Sequence, residues 1–235
     1  MTRTTGALLI VLLSLPVHAT GVRSFVALPV EDDGRVVRAL AEYEDDQALS
    51  TLGLSAAYGI TASDTLLFGL PLRLLPGGPD MQGPFSVLYR RTLWRRDVPE
   101  GTSRFASLIG LTVPIDGGSA AQFQVGGVYT FYRGRTQWDI DALWRPARSE
   151  TPATGRFDIA WDYRLSPAEY PEWEPVGEWH LIVELTGRYA EGTRTRHRLL
   201  AAGRYTRRSW LIEFGVDRGI DGDGLGVLFG FRQHL

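Results

Sequence analysis

Between Gly134 and Pro146 the chain reads GRTQWDIDALWRP, and its apolar and polar residues alternate without a break. Trp138, Ile140, Ala142 and Trp144 fall on one parity and Gln137, Asp139 and Asp141 on the other, so an extended strand puts them on opposite faces. One face requires an apolar surrounding and the other water. A strand of a soluble sandwich has no need of a Trp at each end of its apolar face. A strand that crosses a bilayer meets an aromatic belt at both interfaces.

The pattern recurs. From Arg35 onward, segments of about ten residues alternate with turn signals, which is how a transmembrane barrel reads in sequence. Twelve segments are legible: Arg35–Tyr43, Ser50–Ile60, Thr65–Arg73, Pro84–Trp94, Ser103–Val113, Ala121–Tyr132, Arg135–Arg145, Gly155–Leu165, Trp179–Tyr189, His197–Tyr205, Trp210–Asp217 and Leu225–Leu235. In GRFDIAWDYRL, Phe157, Ile159, Trp161 and Tyr163 oppose Arg156, Asp158, Asp162 and Arg164. In SWLIEFGVD, Trp210, Ile212, Phe214 and Val216 oppose Glu213 and Asp217. Near position 55, Leu52, Leu54, Ala56, Tyr58 and Ile60 oppose Thr51, Gly53, Ser55 and Gly59. The last segment sets Leu225, Val227, Phe229 and Phe231 against Gly224, Gly226, Gly230 and Arg232. An even count suits a closed antiparallel barrel with both termini at one end.

The expected fold is therefore all-β: a single antiparallel transmembrane β-barrel of about 12 strands over residues 35–235. A soluble sandwich or lipocalin-like barrel would turn its apolar face inward instead. The polar parity decides for the membrane barrel, because arginines and carboxylates nearly balance there, as a confined lumen requires. The expected lumen residues are Arg38, Glu42, Arg90, Asp139, Asp141, Arg156, Asp158, Asp162, Arg164, Glu184, Arg188, Arg204 and Glu213. The expected interfacial aromatics are Trp138, Trp144, Trp161, Tyr163, Trp210, Phe229 and Phe231. If both termini are periplasmic, the short connections at Thr61–Asp64, Arg133–Gly134 and Thr206–Ser209 are periplasmic turns. The long Ser166–Glu178 connection falls on the same side and departs from the rule of short turns there.

Residues 1–19, MTRTTGALLIVLLSLPVHA, combine Arg3, an apolar run from Ala7 to Leu15, and a small-residue ending at Ala19, the pattern of a secretory signal. Its apolar run is shorter than the roughly 20 residues of a spanning helix, and Pro16 closes it. Residues 20–34 then form an expected N-terminal periplasmic segment. The expected location is the outer membrane of a Gram-negative bacterium, with outer-membrane lipid as a partner. A formal net charge of −2, with basic residues scattered along the chain, lacks the footprint of a nucleic-acid binder. All 25 basic residues are arginines, and the absence of cysteine excludes disulfides and thiolate metal sites.

Several stretches carry a resemblance: LLFGLPLRLL (Leu66–Leu75), FSVLYRRTLW (Phe85–Trp94), FASLIGLTVPIDGG (Phe105–Gly118), FQVGGVYTFY (Phe123–Tyr132) and LGVLFGFRQHL (Leu225–Leu235). In these the chain resembles the Gram-negative outer-membrane barrels of the phenol meta-pathway degradation, or transporter, family. The likeness spans most of the chain after residue 19 and lies in the barrel pattern. It implies passage of small hydrophobic or aromatic solutes. The closing strand also resembles the signal read by the outer-membrane assembly machinery, with Leu235 where Phe is usual.

Catalytic chemistry finds little support. His18 lies in the signal and His234 at the terminus, which leaves His180 and His197. Phospholipase-type barrels place His and Ser two residues apart, and Leu199 stands at that spacing from His197. Omptin-type proteases cluster aspartates near the rim, but Asp139, Asp141, Asp158 and Asp162 face Arg156 and Arg164, as lumenal ion pairs do. Asp221 and Asp223 in GIDGDGLG open like a calcium loop, but no distal bidentate carboxylate follows. No enzyme, cofactor or metal is expected. The leading expectation is a passive channel. The alternatives are a closed structural barrel that docks a partner through Tyr170, Trp173 and Glu174, and a lipid-modifying or proteolytic barrel.

Overall fold

A computed structural model of the chain describes residues 21–27, 30–45, 48–75, 83–115, 120–148, 151–167, 177–220, 222 and 224–235. Twelve strands run through them: β1 (Arg35–Glu44), β2 (Leu49–Gly59), β3 (Asp64–Leu75), β4 (Phe85–Val98), β5 (Gly101–Val113), β6 (Gln122–Arg133), β7 (Thr136–Arg145), β8 (Thr154–Arg164), β9 (Gly177–Ala190), β10 (Arg196–Arg207), β11 (Trp210–Gly219) and β12 (Leu225–His234). Each pairs antiparallel with its neighbours in sequence, and β1 pairs with β12, so the sheet closes on itself. Closure pairs every strand on both sides, as strands in hydrocarbon require, apart from the far end of β3.

The alternation of the sequence becomes the two faces of the wall. Phe214, Phe229, Ile140 and Trp138 are among the apolar side chains exposed on the outside, while Asp139, Asp158, Glu184, Arg204 and Glu213 are completely buried inside. That is the inverse of a soluble barrel. No helix of the described residues is long and apolar enough to cross a membrane. The strands do the crossing, and the fold is that of an outer-membrane β-barrel.

Aromatic rings gather on the outer face near the end where β1 begins and β12 finishes. There Trp161 stacks on Tyr163 at 5.8 Å, Trp179 lies 4.9 Å from Tyr205, and Tyr205 lies 5.8 Å from Trp210. Trp138 joins this group through its register with Trp161. At the other end Trp144 stacks on Tyr189 at 5.5 Å. Phe229 and Phe231 lie on the outward parity of β12, and Phe229 sits in the middle of that strand rather than at either end.

The wall departs from the expected segments in two places. The stretch after Trp94, WRRDVPEGTS, is not a loop: β4 and β5 extend through it and are joined by Pro99 and Glu100 alone. Its charges read as a connection because the hairpin stands clear of the apolar band, with residues 95–100 exposed, and a bulge at Leu93 shifts its register. The second departure is the seam between β3 and β4. It pairs only Asp64–Gly69 with Ser86–Arg91, so Leu70–Leu75 have no partner in β4, and on that side the Pro71 carbonyl accepts from the Gly83 N–H (2.8 Å). The Ser166–Glu178 connection lies between β8 and β9, and its residues 168–176, with Tyr170, Trp173 and Glu174, fall outside the described residues. So do Asp221, Asp223 and residues 1–19, the expected leader.

The stretch 20–34, expected as a periplasmic tail, is divided. Asp33 and Gly34 lie across the end of β2, where Asp33 N–H donates to the Gly59 carbonyl (3.1 Å) and Gly59 N–H to the Gly34 carbonyl (3.0 Å). Residues 21–27 instead lie inside the barrel, against β1, β4, β6, β7 and β9. We call these seven residues the strap.

Candidate functional site

The lumen wall is organised as ladders of charge. One runs across five strands: Arg164 donates to Glu178 (3.1 Å), Glu178 lies 3.5 Å from His180, and His180 Nδ1 lies 2.7 Å from Asp162. It continues from Asp162 to Arg204 (2.6 Å), from Arg204 to Glu213 (2.8 Å), and from Glu213 to Arg38 (2.8 Å). Antiparallel register makes this possible, because Arg204 sits opposite both Glu213 on β11 and His180 on β9. A shorter ladder joins Arg188, Asp158, Arg156 and Asp141 at 2.8, 3.7 and 3.9 Å. Buried charges persist only when neighbours neutralise them and take up their hydrogen bonds.

These contacts refine the expected pairings. Asp162 turns to Arg204 and His180 rather than to Arg164, which is taken by Glu178. Asp139 forms no ion pair among the described residues and is held by the Thr130 hydroxyl (2.5 Å) and the Gln137 amide (2.9 Å). Arg90 pairs with no carboxylate among the described residues. It donates to the Thr65 hydroxyl (2.9 Å) and to the Val26 carbonyl (2.6 Å). His180 is thus a rung of a ladder, while His197 stands on the outer face with its ring 6.0 Å from Phe157.

The wall binds the strap at three N–H groups, two carbonyls and the Arg23 side chain. Arg23 N–H donates to both oxygens of Glu184 (3.1 and 3.0 Å), Phe25 N–H to Asp141 (2.8 Å) and Ala27 N–H to Thr130 (2.9 Å). Arg38 donates to the Val22 carbonyl as Arg90 does to that of Val26. The Arg23 guanidinium reaches Glu42 through Nε (2.6 Å) and Asp217 through Nη1 (2.8 Å). The Phe25 ring lies under the Arg156 guanidinium at 4.3 Å, within cation–π range.

Two apolar clusters complete the seat, and neither was expected. Ala27, with Phe25 beside it, packs on Leu88, Ala106, Leu108, Val128 and Leu143, while Val22 packs on Ile182, Leu200, Ala202 and Leu228. These wall residues all stand on the inward parity. Their signal in the sequence is apolar residues on the polar parity of a strand, such as Leu200 and Ala202 opposite Leu199 and Ala201. An isolated leucine on the wrong parity looks like noise until the strap explains it.

The opposite arc of the lumen differs. On the inward parity of β2 and β3, Thr51, Gly53, Ala57 and Gly69 are only partly covered and Ser55 is exposed. From Thr51 to Gly59 the inward residues of β2 are all small, β3 adds Leu67, Pro71 and Arg73 on the same parity, and among the described residues no ion-pair ladder crosses this arc.

No family profile and no curated protein matches the chain. Among solved structures, a membrane protein from work on in-meso crystallization is similar with a TM-score of 0.49 and 12% identity, over 86% of this chain and 83% of that one. OmpT, an outer membrane protein of Vibrio cholerae, is similar in a form lacking loop L8, with a TM-score of 0.35 and 10% identity over 87% of this chain and 100% of that one. Its in-vitro folded trimer gives a TM-score of 0.33 and 9% identity, over 86% of this chain and 98% of that one.

Proposed function

We propose that the chain forms an outer-membrane passage for small polar solutes, with the route along the β2–β3 side of the lumen. The observation that carries this reading is the asymmetry of the interior. Asp139, Glu184, Arg204 and Glu213 are closed even to water on one arc, while Ser55 on the facing arc is exposed. A passage for hydrophobic or aromatic solutes, the role that the family resemblance implies, draws less support. The two apolar clusters inside the barrel are packed against Ala27 and Val22 of the strap instead of lining open space.

The test is conductance and solute flux across planar bilayers and vesicles holding the refolded protein. Gly53→Trp places a ring in the open arc, and Leu54→Trp places the same ring on the lipid face next to it. Small sugars and ions are expected to cross, with flux reduced several-fold by Gly53→Trp and unchanged by Leu54→Trp. Equal flux in the two variants would sink the route. No flux in any variant would instead favour the closed structural barrel, a reading that the packed β6–β11 arc supports.

A further inference from the structure

The strap belongs to the chain but not to the wall. It joins no strand ladder, and the bonds that seat it inside the barrel come from wall side chains: Glu184, Asp141 and Thr130 accept from its N–H groups, and Arg38 and Arg90 donate to its carbonyls. A segment held in this way separates from the barrel without unpairing a strand. Its only long charged side chain is Arg23, which enters a clamp of Glu42 on β1 and Asp217 on β11.

The clamp is built for a cation. Asp217 is 2% exposed and also pairs with Arg198 (2.6 Å), which in turn lies 3.9 Å from Glu44. Without Arg23, Glu42 and Asp217 both lose a charge-assisted partner, and Asp217 keeps Arg198. The second oxygen of Asp217, Oδ1, is buried with no hydrogen-bond partner, so the pocket retains acceptor capacity even with Arg23 in place. Glu42 and Asp217 meet the guanidinium at two different nitrogens, Nε and Nη1. A planar fork satisfies both at once, whereas an ammonium offers one compact charge to the pair.

We propose that the strap is a removable plug whose latch is a guanidinium-selective site. Glu42 and Asp217 form that site, and it accepts an alkylguanidinium from outside the chain when Arg23 is withdrawn. The inference goes beyond the passage reading and is tested apart from it, since its readout requires no flux.

The chain contains no cysteine, so a single Ser24→Cys replacement reports on strap docking. Ser24 is buried and its hydroxyl has no partner, which makes the exchange mild. In the full chain, folding is verified by the change of gel migration on boiling. Labelling of this cysteine by a water-soluble maleimide is expected to be slow. Adding Arg23→Ala is expected to raise the labelling rate about tenfold or more, because charge-assisted bonds at two nitrogens no longer hold the strap. Ethylguanidinium, well below its denaturing range, is then expected to slow labelling again by filling the emptied clamp, and ethylammonium is not. Arg23→Gln supplies the same measurements if the alanine variant fails to fold. An unchanged rate on removing Arg23 would overturn the latch. Rescue by both cations, or by neither, would overturn the guanidinium site. Flux that fails while rescue succeeds removes the passage reading and leaves this one standing.

Discussion

Arg204 shows at the scale of one residue what the lumen demands. Its side chain has no exposed surface and spans Asp162 on one side and Glu213 on the other. Removing one partner of a buried pair is more harmful than replacing both, because a desolvated charge remains. Arg204→Ala is expected to cost about 3 kcal/mol, toward the low end for such losses, because Arg38 also reaches Glu213 at 2.8 Å. The midpoint of urea unfolding in vesicles measures this. Gly187 makes a different point. The Phe157 ring from β8 lies across it, and a Cβ there would collide with ring carbons. Gly187→Val is expected to push the ring aside and to cost about 1–3 kcal/mol as overpacking, seen in the same unfolding curves. Phe157→Ala combined with it should recover part of that cost.

At the scale of elements, β12 and the β3–β4 seam are opposites. β12 is paired on both sides from one end to the other, with Gly226, Leu228, Gly230 and Arg232 inward and the lipid-facing Phe229 at its middle. Phe229→Arg puts a charge near the bilayer midplane, where the expected cost is about 2–4 kcal/mol, while Phe231→Arg, nearer the strand end, should cost less. Equal costs would mean that the apolar band is placed differently along the strand. The seam lacks β4 partners beyond Gly69. Amides of Leu70–Leu75 that point toward β4 are expected to exchange with deuterium well before those of β12, read residue by residue, since exchange follows local opening.

At the scale of the whole molecule, the strap links the two halves of the lumen. It covers one apolar cluster near β4–β7 and another near β9–β12, and its backbone neutralises donors and acceptors of the wall between them. Deleting residues 21–27 is expected to leave a closed barrel, because no strand pairing involves them. The temperature at which the folded gel band is lost should fall, because Asp141 and Glu184 lose the N–H donors that the strap supplies. Loss of the folded band at every temperature would show that the strap is needed to form the wall.

The strand count, the order of the wall and its two faces were written in the sequence, because side chains alternate with a period of two and a bilayer and a wet lumen make opposite demands on them. Asp139, Asp158, Glu184, Arg204 and Glu213 were recognisable as lumenal from parity alone, and Trp138 and Trp144 as outward. Parity says which face a residue takes but not its partner. The matching of Asp162 with Arg204, and of Arg90 with the Val26 carbonyl, depends on strand register and side-chain reach. The charged β4–β5 hairpin looked like a loop because polarity marks distance from lipid as well as absence of a strand. The strap was invisible for a deeper reason. Residues 21–27 have no periodicity that names a neighbour, and their place follows from wall groups more than a hundred residues away, such as Asp141 and Glu184, which converge only once β1 meets β12 and the barrel closes.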